Sequence, residues 1–218
     1  MVHEEPAQLA DALERMPALP EGEEERFAGY GVMAAEITRQ LPAGAPPTHV
    51  FVQAGVGALA AAICAHFWLS WRERRPACFV VEPTRADCVY QSLAAGHPVV
   101  VGGSLDTVMA GLACGEVSEL AWEILRGGAT GAIAVGDAYA LEAVRRLASP
   151  LSPDAPIVAG ETGGSGLAAL LAARDYPAIR ETLALDRNAR VLLLGSEGDT
   201  DPAIYRDVVG RTAEEVLA

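Results

Sequence analysis

The sequence predicts an α/β fold of three layers, αβα, around a mostly parallel sheet, and three observations carry that reading. Short apolar runs alternate with amphipathic helical stretches along most of the chain. Turns of small residues separate runs from the helices that follow them. The runs are apolar throughout, which suits strands covered by helices on both faces. Functional loops then belong at the carboxyl ends of the strands, with right-handed crossovers between them.

Taken in order, residues 1–26 read as an acidic arm or linker. A short helical pattern at Leu9, Leu13 and Met16 runs into Pro17, Pro20 and the acidic stretch from Glu21 to Glu25. The α/β domain is expected over 27–218. Its first helix runs from Phe27 through Ile37 to Leu41 and is stopped by Pro42, after which Pro46 and Pro47 forbid its continuation. Strands are expected at 49–53, 78–81, 98–101, 131–135, 157–159 and 191–194. Helices are expected at 57–72, 86–95, 117–126, 138–148, 165–173 and 176–184.

The composition excludes several function classes. The chain has 218 residues, a net charge of -13, 16 basic and 29 acidic residues, and 51% hydrophobic residues. All 16 basic residues are arginine. Without lysine, no side chain of this chain can form a Schiff base with a carbonyl cofactor. The acid excess offers no basic stripe for nucleic acid or an anionic membrane, so neither is expected as a partner. The apolar stretch from Gly55 to Ile63 falls far short of the roughly 20 residues of a membrane span, and a cytoplasmic protein is expected. Cys64, Cys78, Cys88 and Cys114 form no CxxC pair, which points to buried reduced thiols rather than a zinc site.

The segment from His49 to Ala60 is a strand that runs through Gly55 and Gly57 into a long helix. Glycines let the backbone approach a ligand closely, and the free amides of a first helical turn make a phosphate site. A tight turn that binds nothing is the bland alternative. The same residues fit Gly-x-Gly-x-x-Ala, and Glu82 closes the next strand where a dinucleotide fold keeps its ribose acid. Against that reading, Pro83 follows Glu82 directly, and a helix and a proline loop precede the motif.

Five motifs occur in this order: Gln53-Ala-Gly-Val-Gly-Ala58, Val81-Glu-Pro83, Thr107-Val-Met-Ala-Gly-Leu-Ala-Cys-Gly-Glu116, Ala159-Gly-Glu-Thr-Gly163 and Ser196-Glu-Gly-Asp-Thr-Asp-Pro202. Together they resemble diaminopropionate ammonia-lyase, a fold-type-II pyridoxal-phosphate enzyme of the tryptophan synthase β-like group. The resemblance runs from about Gly29 to the end of the chain. It implies that the amides of Gly55, Val56, Gly57 and Ala58 hold a cofactor phosphate, in agreement with the direct reading of the turn. It implies that the Ser196 hydroxyl meets the pyridine nitrogen. A neutral hydroxyl leaves that nitrogen largely unprotonated, which suits elimination at the β-carbon. Glu161, at an expected strand end, faces the same cleft on this reading. Asp199 and Asp201 read as turn formers and Cys114 as a structural thiol, while His49, His66 and His97 show no partner in the sequence.

The resemblance also implies a lysine and acidic bases that precede Gly29-Tyr30, and this chain has no positions to carry them. Three explanations stand: a truncated or split gene product, a fragment completed by another chain, or a remnant reused as a module. The arm opens on its own Met and carries no family motif, which favours a genuine short product. The expected protein is therefore a relative of the ammonia-lyase, which forms pyruvate and ammonia from 2,3-diaminopropionate by α,β-elimination. It is expected to keep the phosphate-binding turn, to bind pyridoxal phosphate non-covalently and to be inactive alone. A homodimer or a complementing chain would cover the exposed sheet edge. The alternatives are a non-catalytic interaction module and a dinucleotide-binding domain.

Overall fold

The structure, a computed structural model, describes residues 23–42 and 45–218. The helical pattern at Leu9, Leu13 and Met16 lies outside the described residues. Helix α1 (Glu23–Gln40) leads to strand β1 (His49–Gln53), helix α2 (Ala58–Trp71) and strand β2 (Ala77–Pro83). Then come α3 (Cys88–Ala95), α4 (Glu119–Gly128), β3 (Gly131–Val135), α5 (Asp137–Ala148), α6 (Ser165–Asp175) and α7 (Pro177–Thr182). Strand β4 (Val191–Leu193) precedes α8 (Pro202–Val209) and α9 (Ala213–Leu217). The boundary expected between residues 26 and 27 falls inside α1.

The sheet has the order β3-β2-β1-β4, and every pairing is parallel, as the apolar runs predict. Strand alternation divides the core into two layers. Val50, Val52, Val80 and Leu192 pack towards α1, α2, α3 and α4. Phe51, Phe79, Val81, Ile133 and Leu193 pack towards α5 and α6. Phe51 stacks on Phe79 with ring centroids 5.3 Å apart. Burying side chains of this size stabilises the fold by about 1.5–3 kcal/mol each. A third, smaller cluster of Val144, Ala148, Tyr205 and Val216 fastens α8 and α9 to α5.

Two expected strands are absent. At 98–101, Pro98 has no N–H to offer, the Val99 amide donates to Ser92 Oγ at 2.8 Å and the Val101 amide to the Gly115 carbonyl at 2.8 Å. At 157–159, the Ile157 amide donates to the Leu147 carbonyl at 2.8 Å, which ties the segment to α5 instead of the sheet. Both are apolar runs half turned to water, with Val100 68% and Ile157 55% exposed. The helices α8 and α9 are additional. Asp201 caps α8 by accepting from the Ala203 and Ile204 amides, and Thr212 and Glu215 form a reciprocal capping box on α9. No helix among the described residues is long and apolar enough to cross a membrane.

Candidate cofactor-binding site

The site begins where β1 ends. The Ala54 amide still donates to the Val81 carbonyl at 3.0 Å, and from Gly55 the chain leaves the sheet. Gly57 stands at φ 96°, and a Cβ there would lie 2.9 Å from Ala121 Cβ and 3.2 Å from Leu125 Cδ1. Left-handed backbone and the close approach of α4 both demand glycine. Helix α2 has no side-chain cap and no acidic residue in its first turn. The amides of Gly55, Gly57 and Ala58 donate to no acceptor among the described residues. The Val56 amide faces the Cys114 thiol, and the Val56 carbonyl accepts from the Ser118 amide at 2.9 Å. Unpaired donors at the positive end of a 14-residue helix suit an anion with several oxygens, so the donor set fits a phosphate.

Three further segments gather around this turn. A Cβ on Gly55 would lie 3.0 Å from both Cys114 Sγ and the Gly111 carbonyl oxygen, so the segment after Thr107 packs directly on the glycines. The Gly111 amide donates to Thr162 Oγ1 at 3.3 Å. Glu197 Oε1 accepts from the Thr162 amide at 2.8 Å and the Gly163 amide at 3.4 Å, while the Gly160 amide donates to the Glu197 carbonyl at 3.3 Å. Ser196, exposed after β4, accepts at Oγ from Gln53 Nε2 at 2.6 Å. The glycine turn and Ser196 thus sit at the carboxyl ends of two adjacent parallel strands, bridged by one side chain. Glu161 is half-buried, and its carboxylate makes no hydrogen bond among the described residues.

Glu82 closes β2 but faces inward. It is fully buried, and its carboxylate accepts from the Val89 amide at 2.9 Å and the Tyr90 amide at 2.7 Å at the start of α3. Burial pushes its pKa up to about 7 against the opposing pull of those amides. A ribose would find both oxygens engaged, which removes the acid that the dinucleotide reading needs. Cys88 lies beside it, its Sγ 3.6 Å from Glu82 Oε1, and burial drives that thiol to about 12. Burial likewise raises the Cys114 thiol, so nothing activates it as a nucleophile. The three histidines among the described residues are occupied: His49 Nε2 lies 3.0 Å from the Leu183 carbonyl oxygen, His66 Nε2 2.8 Å from Thr38 Oγ1, and His97 Nδ1 3.0 Å from the Pro98 carbonyl oxygen.

The pyridoxal-phosphate dependent enzyme model matches residues 4–195. The chain belongs to that family. It is 43% identical over 185 residues to the diaminopropionate ammonia-lyase of Escherichia coli strain K12, covering 83% of this chain and 46% of the relative. To the Salmonella typhimurium enzyme of the same name it is 40% identical over 195 residues, with 85% and 48% covered. The fold superposes with a TM-score of 0.78 and 41% identity on the Escherichia coli diaminopropionate ammonia lyase in complex with an aminoacrylate-PLP azomethine reaction intermediate, over 84% of this chain and 47% of that one. The chain thus spans about half the length of the curated relatives it matches.

Within this pyridoxal-phosphate family member, the roles of three side chains, two of them at the site, escape a reading of the sequence alone. Gln53 reads as the end of an apolar strand, Glu82 as a ligand acid and Glu197 as part of a turn. Each one's partner lies on a different element, seven to 143 residues away. The one local signal is a polar residue standing in or directly after an apolar strand, where burial without a partner is costly.

Proposed function

We propose that this chain binds pyridoxal phosphate non-covalently, with the phosphate on the amides of Gly55, Val56, Gly57 and Ala58 and the pyridine nitrogen towards the Ser196 hydroxyl. The observation that carries the reading is the Gln53 bridge, which holds Ser196 at the same strand ends as the unpaired amides of the turn. Bound there, the cofactor supplies an electron sink for carbanionic chemistry. The chain's own residues position it. The amides and the α2 dipole hold the phosphate, with the buried Leu112 and the Cys114 thiol packed beside Gly55. Glu161, half-buried beside Thr162, is a further contact for the cofactor or its substrate.

The reaction to which this site belongs is α,β-elimination on 2,3-diaminopropionate, giving pyruvate and ammonia. Sixteen arginines and no lysine mean that these 218 residues do not themselves supply the imine-forming amine, and alone they are inactive. A complementing chain could supply the amine, whereas a further copy of this lysine-free chain could serve only as a structural partner. Four free cysteines agree with a cytoplasmic setting.

Val56→Asp tests the cradle without disturbing the fold, because the Val56 side chain is 43% exposed. A carboxylate beside the amides repels a phosphate, and affinity for pyridoxal phosphate should fall by about tenfold or more while unphosphorylated pyridoxal changes little. Calorimetric titration of both ligands reads the difference. Equal affinity of wild type and variant for pyridoxal phosphate would remove the assigned phosphate site.

A further inference from the structure

Strand β1 is apolar through Val50, Phe51 and Val52 and then ends on a glutamine that is 2% exposed. Burying an amide costs about 1–3 kcal/mol when it goes unpaired, so a glutamine at this position needs a partner. Its only hydrogen bond among the described residues runs from Nε2 to Ser196 Oγ, across 143 residues of sequence. Gln53 Oε1 is buried and has no partner among the described residues. The alternative amide orientation would turn Oε1 to Ser196 and bury the two N–H donors of Nε2 in the place where one oxygen is now unpaired. The present orientation leaves Oε1 and one N–H without a partner among the described residues and the alternative leaves both N–H donors so; an orphaned carbonyl oxygen is tolerated better than an orphaned N–H, and the orientation with Nε2 towards Ser196 is the favoured one.

A serine hydroxyl has one proton and two acceptor lone pairs. With an N–H 2.6 Å away occupying one lone pair, the hydroxyl proton is directed away from Gln53. We propose that Gln53 is a positioning residue: its amide occupies one lone pair of Ser196 Oγ and leaves the hydroxyl proton to be donated to an unprotonated ligand nitrogen. The inference rests on the cofactor reading of this site and adds to it the residue that sets the direction of the serine proton. Under it, the nitrogen is held as an acceptor by two groups acting in series, Gln53 on Ser196 and Ser196 on the ring. A glutamate in place of Gln53 reverses the polarity, since its carboxylate accepts the serine proton and leaves Oγ facing the ligand with lone pairs.

The test measures binding of pyridoxal phosphate, and of its analogue with carbon in place of the ring nitrogen, to the purified chain. Wild type is compared with Gln53→Met, Gln53→Glu, Ser196→Ala and the Gln53→Met/Ser196→Ala pair, with thermal unfolding run on each. Wild type should prefer the nitrogen-bearing ligand by about tenfold, and that preference should vanish in Gln53→Met and Ser196→Ala. In the pair, Gln53→Met should add no further loss, which separates action through Ser196 from general destabilisation. In Gln53→Glu, the pH at which the bound ligand's absorbance titrates should move upward, a change that a merely structural glutamine would not produce. Wild-type preference and titration retained in both Gln53 variants overturn the inference alone. Failure of wild type to bind pyridoxal phosphate overturns the cofactor reading together with it.

Discussion

Gly57→Ala should destabilise the protein by about 2–5 kcal/mol. The left-handed backbone at φ 96° costs a residue with a Cβ about 1–2 kcal/mol. The added methyl would also meet Ala121 Cβ at 2.9 Å and Leu125 Cδ1 at 3.2 Å. Both atoms belong to α4, whose Ala121 and Leu125 are fully buried, so relief requires the two helices to part. Overpacking of that kind costs about 1–3 kcal/mol. For a chain of this size the loss lowers the unfolding temperature by about 10 °C. The same strain moves the amides of the turn, so phosphate binding weakens together with stability. Thermal unfolding of the variant checks the first part, and a change smaller than about 0.5 kcal/mol would mean that α4 does not press on this turn. Because Gly57 serves the fold as well as the cradle, Val56→Asp is the cleaner probe of binding.

Glu82→Ala should cost about 3–5 kcal/mol, since it strips the Val89 and Tyr90 amides of their acceptor inside a buried site and leaves a void beside Cys88. Its ionisation also makes stability depend on pH. The folded-state pKa is raised from the ordinary 4.5 to about 7, so the folded protein holds this proton more tightly than the unfolded chain. Stability from this group is therefore greatest below pH 4.5 and is lost as pH rises through about 7, by an amount on the order of 3 kcal/mol at most. Asp87, Cys88 and Cys114 are the titratable groups around it, and Asp87 acts in the same direction as burial. His66, whose pKa burial lowers from the ordinary 6.5, opposes the trend, because the stability it contributes is lost as pH falls. The difference between wild type and Glu82→Gln cancels that contribution. Urea unfolding of both proteins at pH 5 and pH 8 should show wild type losing more stability than the variant on going to pH 8. Parallel pH profiles would show that Glu82 titrates as an ordinary carboxyl.

The layers of the fold are legible in the sequence because β1, β2, β3 and β4 are apolar runs, each with a helix before or after it. The runs at 98–101 and 157–159 mislead for a physical reason: apolar character marks what can be buried, while pairing depends on where the amides go. Those amides go to Ser92, Gly115 and Leu147. The helices α8 and α9 carried readable signals in Asp201-Pro202 and in Thr212 with Glu215, a proline after a cap and a capping box. In the site, the glycine turn is legible because left-handed backbone and close approach are local demands. Gln53 and Glu197 are not, since their roles depend on Ser196 and Thr162 reaching them from other elements. Glu82 illustrates the hazard most clearly. Its position suits a ribose acid, and only the two amides of α3 reveal that it serves the fold.

The most direct test of the account is a titration of the purified 218-residue chain, amino terminus blocked, with pyridoxal phosphate, followed by borohydride reduction and a mass spectrum. The expected result is saturable binding with no cofactor mass retained on the reduced protein, because the chain contains no lysine to hold it. Absence of binding, or a protein that carries the reduced cofactor covalently, would contradict it.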